Sequence, residues 1–347
     1  MDSAWIVRQR WWMTRIAVFP IHILFFAVLV FFFIRVIPGD PVQTLTGGNA
    51  TPEEYELVRE QLGLNVSIFQ QLIAMLVGLL TLDLGTSWIT RQPVASELLD
   101  RLPATIELSF IALFFIVVIT LLTSFVAVRW PKSPPGRLLH LYARAAGALP
   151  EFSIGVLGIF VFYAVLHWSP APIGRVSTGL PRSGTVTGFP VIDAILAGNG
   201  AELASMASHL VLPIAVLVVS LCPLLLKLLI SGLDVAIEAA PTRFKIATGA
   251  PRTQVVLSIY RRALPAAVTL LGTLFGNLLG GAVIVESLFS LGGIGQYAVD
   301  SVNTGDLIAL QAFLLLSAII CLAVFLLTDV VNMLLDPRRR PGVMVSE

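Results

Sequence analysis

Charged side chains are scarce in this chain, occupying 12% of 347 positions against 56% for hydrophobic ones, and the mean hydropathy is +0.89. A soluble globular domain carries about 25% charged residues. The composition therefore excludes that class and places the chain among membrane proteins. A net charge of +1 offers nothing to a polyanion such as nucleic acid. There are two cysteines, Cys222 and Cys321, each inside an apolar run, which excludes a disulfide framework. The four histidines, His22, His140, His167 and His209, lack metal-ligand spacing, and no HExxH occurs. No Ser and His share a nucleophile context, so an intramembrane hydrolase lacks its catalytic constellation. No GxxxxGK[ST] loop occurs either, since "GGIGQYA" has the glycines but no Lys for a phosphate. If ATP drives this protein, another chain binds it. Nothing repeats at a fixed period.

Long apolar runs are what the chain does have. A helix needs about 20 apolar residues to cross the hydrocarbon layer, and six stretches qualify: Ile16–Val36, Ala104–Val128, Gly147–Trp168, His209–Ile230, Ala266–Leu288 and Leu307–Leu335. Runs this continuous exclude the weak alternation of a membrane barrel, so an all-α membrane protein with six transmembrane helices is expected. The first run follows a basic N-terminus and ends in Arg35 and "IPGDP". That ending is not a cleavage site, so the run is expected to remain as an anchor. On one side of the spans lie sixteen Lys and Arg: Arg8, Arg10, Arg15, Arg129, Lys132, Arg137, Arg144, Lys227, the five of the basic loop, and Arg338 to Arg340. The other side holds five, Arg59, Arg91, Arg101, Arg175 and Arg182. Positively charged loops stay in the cytoplasm, which puts both termini there. Trp11, Trp12, Trp130 and Trp168 fall at span ends, as an interfacial belt requires.

The external segment between the first two spans, residues 37–103, is long enough for structure of its own. "TPEEYELVREQLGL" offers a Thr51 cap, Pro52 in the first turn and acidic residues behind it, so a helix starting near Pro52 is expected. "SIFQQLIAMLVGLL" is apolar but too short to span and reads as an interfacial or re-entrant helix. The second external segment, residues 169–208, is rich in Gly, Pro, Ser and Thr and is expected to be a partly irregular cap.

The most polar internal stretch, "DVAIEAAPTRFKIATGAPRTQVVLSIYRRALP", carries the basic loop: Arg243, Lys245, Arg252, Arg261 and Arg262. Its punctuation predicts two short helices, with Pro241 in a first turn, Gly249 in a left-handed C′ position and Pro251 opening the second helix. That second helix would show Val255, Val256, Ile259 and Tyr260 on one face. With Gly249 followed by Leu264-Pro265 at the start of a span, the stretch resembles the "EAA" loop of ABC importer permeases. "FIRVIPGDP", "REQLGL", "LDLGTSW", "PVASELLDRLPATIELS", "GGAVIVESLFSLGGIGQYAVDSV" and "TDVVNMLLDPRRR" extend the likeness across nearly the whole chain. Together they resemble the permease subunit with the long first external loop in dipeptide, oligopeptide, nickel and glutathione importers. The literal Glu238-Ala239-Ala240 lies too far ahead of Gly249 for the family triplet, which registers on Arg243, Phe244 and Lys245, with Lys245 where a small residue is usual. Glu151 in "LPEFSIG" also departs from the family's neutral residue.

The resemblance implies a type I ABC importer permease fold in a bacterial inner membrane, translocating short peptides or a related small cargo. It also implies a second homologous permease, two ATP-binding subunits that hold ATP and Mg, and an extracytoplasmic substrate-binding protein. The ATPase would dock on Arg243, Phe244, Lys245, Ala247, Gly249 and Ala250. A polar pathway or outer gate falls on Glu286 with Gly292, Gly293 and Gly295, which interrupt the helix and permit either close approach or a flexible turn. Glu107, Glu151, Lys227 and Asp329, at or inside span ends, read as lining or as paired structural charges. A self-contained secondary transporter is the alternative. It would more often show an inverted repeat and interrupted helices at the midplane.

Overall fold

The structure is a computed structural model describing residues 2–37, 40–145, 147–148 and 150–335, with side chains described from Ile16 to Val331. Trp11, Trp12, Arg8, Arg10, Arg15 and Arg338 to Arg340 lie outside the described side chains. Among the described residues the chain is helical: α1 Asp2–Val36, α2 Pro41–Thr46, α3 Pro52–Gln61, α4 Ile68–Thr81, α5 Val94–Arg129, α6 Pro134–Arg144 and α7 Glu151–Gly158 come first. A π-helical extension of α7 over Ile159–Val165 is followed by α8 Pro190–Leu196, α9 Gly200–Glu238, α10 Ala240–Ala247, α11 Arg252–Phe289, α12 Ile294–Thr304 and α13 Leu307–Leu335.

Among the described residues five helices, α1, α5, α9, α11 and α13, are long and apolar enough to cross a membrane. Four, α1, α5, α9 and α11, exceed their expected spans. With 36, 39 and 38 residues, α5, α9 and α11 reach about 54–59 Å at 1.5 Å per residue, well beyond a hydrocarbon layer of about 30 Å. Hydropathy registers only the part in lipid, whereas the helices run on into polar sequence. The sixth expected span, Gly147–Trp168, is shorter than its apolar run: the helix starts at Glu151 and ends at Val165. Pro150 sets its N-cap, and His167 at φ +53° turns the chain after its end. Fifteen residues rise about 22 Å, less than the hydrocarbon thickness.

At the centre α9 packs against α5 and α11, burying Leu108, Ile116, Leu217, Leu229, Leu274 and Leu278. A second cluster joins α1 to α13, the start of α5 and α12, through Ile34, Leu98, Ile294 and Phe313. In lipid, helix association depends on close van der Waals contact, so small residues sit where helices cross. A Cβ on Gly272 of α11 would lie 2.9 Å from Thr328 Oγ1 of α13, and one on Gly232 of α9 would meet Ala263 at 3.4 Å. Gly281 lies against the Glu151 carboxylate of α7, while Gly280 faces open space. The small residues of α11 are thus divided between neighbours of its own chain and an outward side.

The long segments between the spans follow their local signals. Thr51 caps α3 in a capping box with Glu54, and Ser67 caps α4 in another with Gln70. Asp306, buried at 2% exposure, caps α13 by accepting Ala309 N at 3.1 Å, and also accepts a bond from Ser87 Oγ. The "LDLGTSW" turn is thereby tied to the last span.

Candidate coupling corner and outer gate

The basic loop forms one corner. The chain leaves α9 at Glu238, turns through α10 and enters α11 at Arg252. Thr242, fully buried, fixes the first bend by donating its hydroxyl to Ala236 O at 2.7 Å. At the far end Gly249 has φ +73°; its N–H reaches Ile246 O at 3.1 Å and Ala250 N–H reaches Lys245 O at 3.0 Å. These two bonds define a Schellman motif and satisfy carbonyls the helix end would otherwise leave open. Pro251, extended at ψ 140°, then caps α11. The left-handed Gly249 and the cap-forming Pro251 lie where the sequence puts them. The second short helix does not exist as a separate element: its residues are the first turns of α11, which runs unbroken through Pro265. Ile259 and Tyr260 of the expected face pack inward, whereas Val256 is exposed.

What the corner presents is apolar at its tip and basic around it. Phe244 is 69% and Ile246 60% exposed, and Arg243, Ala247 and Gly249 are exposed beside them, with Lys245 and Ala250 half-buried. A Cβ built on Gly249 would meet nothing within 4 Å. A short helix held at both ends, carrying a bare aromatic outward, is shaped for a partner's groove.

At the opposite end α11 stops at Phe289, and Ser290 at φ +51° with Gly292 at φ +72° reverses the chain into α12. Glu286 is 1% exposed. Its carboxyl oxygen accepts Gly295 N at 2.7 Å and Gln296 N at 3.3 Å, capping free N–H groups at the N-terminus of α12. Thr105 Oγ1 of α5 accepts Ile294 N at 2.9 Å. A Cβ on Gly293 would stand 2.3 Å from Glu286 Oε2, and one on Gly295 2.4 Å from Val283 Cα. Those two glycines serve close approach, and Gly292 supplies the positive φ.

Beside this staple Arg175 pairs with Glu107 at 3.1 Å and donates to Ala104 O at 2.8 Å. Glu107 also accepts Val191 N at 2.9 Å, tying the external cap and α8 to α5. Burial lowers the Arg175 guanidinium pKa, and Glu107 raises it again; arginine's ordinary value is high enough that it stays cationic. Glu107 is therefore the paired structural charge, and Arg175 is the partner that sequence reading missed. The available signal was an arginine in a segment facing away from the basic side, opposite a carboxylate too costly to bury alone.

Along α11 one stripe, Thr269, Thr273, Asn277 and Gly280, is exposed in this chain. An amide facing hydrocarbon in mid-span is expensive, so this stripe belongs against something other than lipid.

A basic corner with an exposed aromatic and a glycine turn stapled by a buried carboxyl group thus stand at opposite ends of a bundle of membrane-length helices. The family is that of the "Binding-protein-dependent transport system inner membrane component", whose profile matches residues 119–341, and the chain belongs to it. The companion N-terminal family, "Binding-prot-dependent transport system membrane comp, N-term", matches residues 9–109. The chain is 31% identical over 334 residues to the "Probable D,D-dipeptide transport system permease protein DdpB" of Escherichia coli, covering 96% of each chain. The dipeptide transport system permease protein DppB of Alkalihalophilus pseudofirmus is 31% identical over 313 residues, 90% of this chain and 93% of that one. The glutathione transport system permease protein GsiC of Escherichia coli is 29% identical over 315 residues, again 90% and 93%. The protein is thus a permease of the ABC importer class, whose ATP hydrolysis resides in partner subunits and whose cargo comes from a binding protein.

Proposed function

We propose that this subunit imports short peptides or a similar small amide-bearing cargo across a bacterial inner membrane, with six crossings and both termini in the cytoplasm. The cargo class follows the three relatives' names, and the orientation follows the sixteen-to-five distribution of Lys and Arg. The sixth crossing is Glu151–Val165 together with the residues flanking it. A second, non-identical permease covers the exposed stripe of α11, so that Thr273 and Asn277 meet a polar pathway between the two chains. The outer gate is the turn Gly292, Gly293 and Gly295 stapled by Glu286.

The observation that carries the coupling role is α10. Two ATP-binding subunits, holding ATP and Mg, grip Phe244 and Ile246, with Arg243 and Lys245 at the rim and Ala247, Gly249 and Ala250 framing the contact. Movement of the ATPases reaches the core because α10 is fixed at both ends to spans, by Thr242 to α9 and by the Gly249 corner to α11. The test is a Phe244→Cys chain in membranes co-expressing the partners. It should resist an impermeant thiol reagent from outside and cross-link to an ATPase cysteine from inside. Labelling from outside, or coupled transport by this chain alone on a proton gradient, would overturn the reading.

A further inference from the structure

A cavity of about 580 Å³ lies between the end of α1, the start of α13 and α4, lined by Phe31, Ile34, Met75, Ile308 and Leu315. Its size is that of a small-molecule site, roughly 300–1,000 Å³. Two observations fix its depth in the membrane. It straddles the outer end of one span and the outer start of another, and Arg35 stands in its wall within α1. The second observation is α4 itself: Gln71, Ala74, Met75 and Gly78 line the cavity, while Phe69, Ile73, Val77 and Leu80 on its other side are more than half exposed. A helix of 14 residues that is too short to span and exposes this much apolar surface lies at the membrane boundary.

The wall is mostly apolar, with Arg35 its one cation and Gln71, Gln311 and Asp83 its other polar side chains. Arg35 donates Nη1 to Phe31 O at 3.0 Å and Nη2 to Gln71 Oε1, and its guanidinium stacks 3.4 Å from the Phe31 ring centroid. It forms no ion pair among the described residues. Of its five N–H donors two are engaged, which leaves a fork for an oxyanion. Asp83, the cavity's other ionisable group, accepts Gly85 N at 3.0 Å in its own turn.

We propose that the cavity holds one phospholipid of the outer leaflet, its phosphate on Arg35 and an acyl chain along Phe31, Ile34, Ile308 and Leu315. A cation at interface depth above an apolar slot matches the two ends of that molecule. The lipid acts as a wedge that sets α4 against the spans, since α4 otherwise packs on them chiefly through α1.

This rests on the membrane reading but not on the cargo or the ATPase contact. The test is native mass spectrometry of the assembled transporter released from bilayers of phosphatidylethanolamine and phosphatidylglycerol, with uptake measured on the same preparation. The wild-type complex should retain one phospholipid on this subunit after stringent delipidation. Arg35→Gln should lower its retention roughly tenfold, the loss of a charge-assisted contact. Ala74→Phe should exclude it by filling the slot, and Arg59→Gln on exposed α3 should retain it. Unchanged retention in Arg35→Gln, no lipid in the wild type, a peptide cargo competing for the site, or a segment of the second permease found there would each overturn the proposal. Uptake that fails with lipid retained would count against the transport reading instead.

Discussion

Gly249→Val tests the corner most directly, because the structure separates its two costs. A Cβ at position 249 meets nothing within 4 Å, so no steric collision arises inside the chain. The cost comes from the backbone. Holding an L-residue at φ +73° costs about 1–2 kcal/mol, and a β-branched one falls at the upper end. The chain can escape by leaving the left-handed region, but it then loses the bonds to Ile246 O and Lys245 O, each worth about 0.5–1.5 kcal/mol. By either route the formed corner is depopulated by a factor of about 5–30. No span is touched, so insertion and assembly should be normal. In liposomes containing the complete complex, uptake driven by loaded binding protein should fall by about that same factor, with hydrolysis losing its stimulation. Gly249→Asn should keep more activity than Gly249→Ala, and Ala more than Val, because Asn tolerates the left-handed region best. Arg243→Ala and Lys245→Ala, at a solvated rim, should have smaller effects. Normal coupled uptake by Gly249→Val would remove the corner from its role. An Asn variant as poor as Val would show that side-chain bulk matters and that the left-handed backbone does not.

At the outer end, Gly293→Ala should lower thermal stability by the equivalent of about 1–3 kcal/mol, since its Cβ meets the Glu286 carboxylate and that side chain is too buried to swing away. Gly280→Ala, whose added Cβ meets nothing within the chain, should not lower the melting temperature of the isolated subunit. Arg175→Leu should destabilise by about 3–5 kcal/mol by leaving Glu107 buried and unpaired, and adding Glu107→Gln should recover most of it; equal melting of the single and double variants would refute a true pair. In the external cap, bonds from the Thr187 hydroxyl and amide and from Gly188 N hold the Asp193 carboxyl below its ordinary pKa. A depressed carboxyl stabilises fully above its unfolded pKa and loses that contribution as pH falls through the folded one. The gap in cap protection between wild type and Asp193→Asn, read by hydrogen exchange, should therefore be constant at neutral pH and close on acidification.

The parts of this fold that can be read from the sequence are those where one local rule decides the outcome. Thr51 with Pro52 and Glu54 gives a helix start, Gly249 with Pro251 gives a corner, and Leu307–Leu335 gives a whole span, because caps, left-handed turns and hydrocarbon solvation act within a few residues. The helix ends that overran or fell short depend on something hydropathy does not weigh. Polar residues such as Asp234 and Arg252 continue a helix once it leaves the lipid, whereas Pro150 and His167 cut one short inside an apolar run.

The site residues divide in the same way. Glu286 could be singled out alone, since a carboxylate beside glycines is legible in one stretch of sequence. Its contacts to Gly295 and Gln296 lie only 9 and 10 residues away. Arg175 with Glu107 is separated by 68 residues and Ser87 with Asp306 by 219, and no local period links either pair. Yet the cost of an unpaired charge makes half of each answer available in advance. A carboxylate within a span requires a partner, and the few cations on its side of the membrane are the candidates. Applied to Glu107, that rule narrows the choice to Arg59, Arg91, Arg101, Arg175 and Arg182. Geometry makes the final selection: Arg175 and Arg182 share the cap segment, and Arg175 is the one that reaches Glu107.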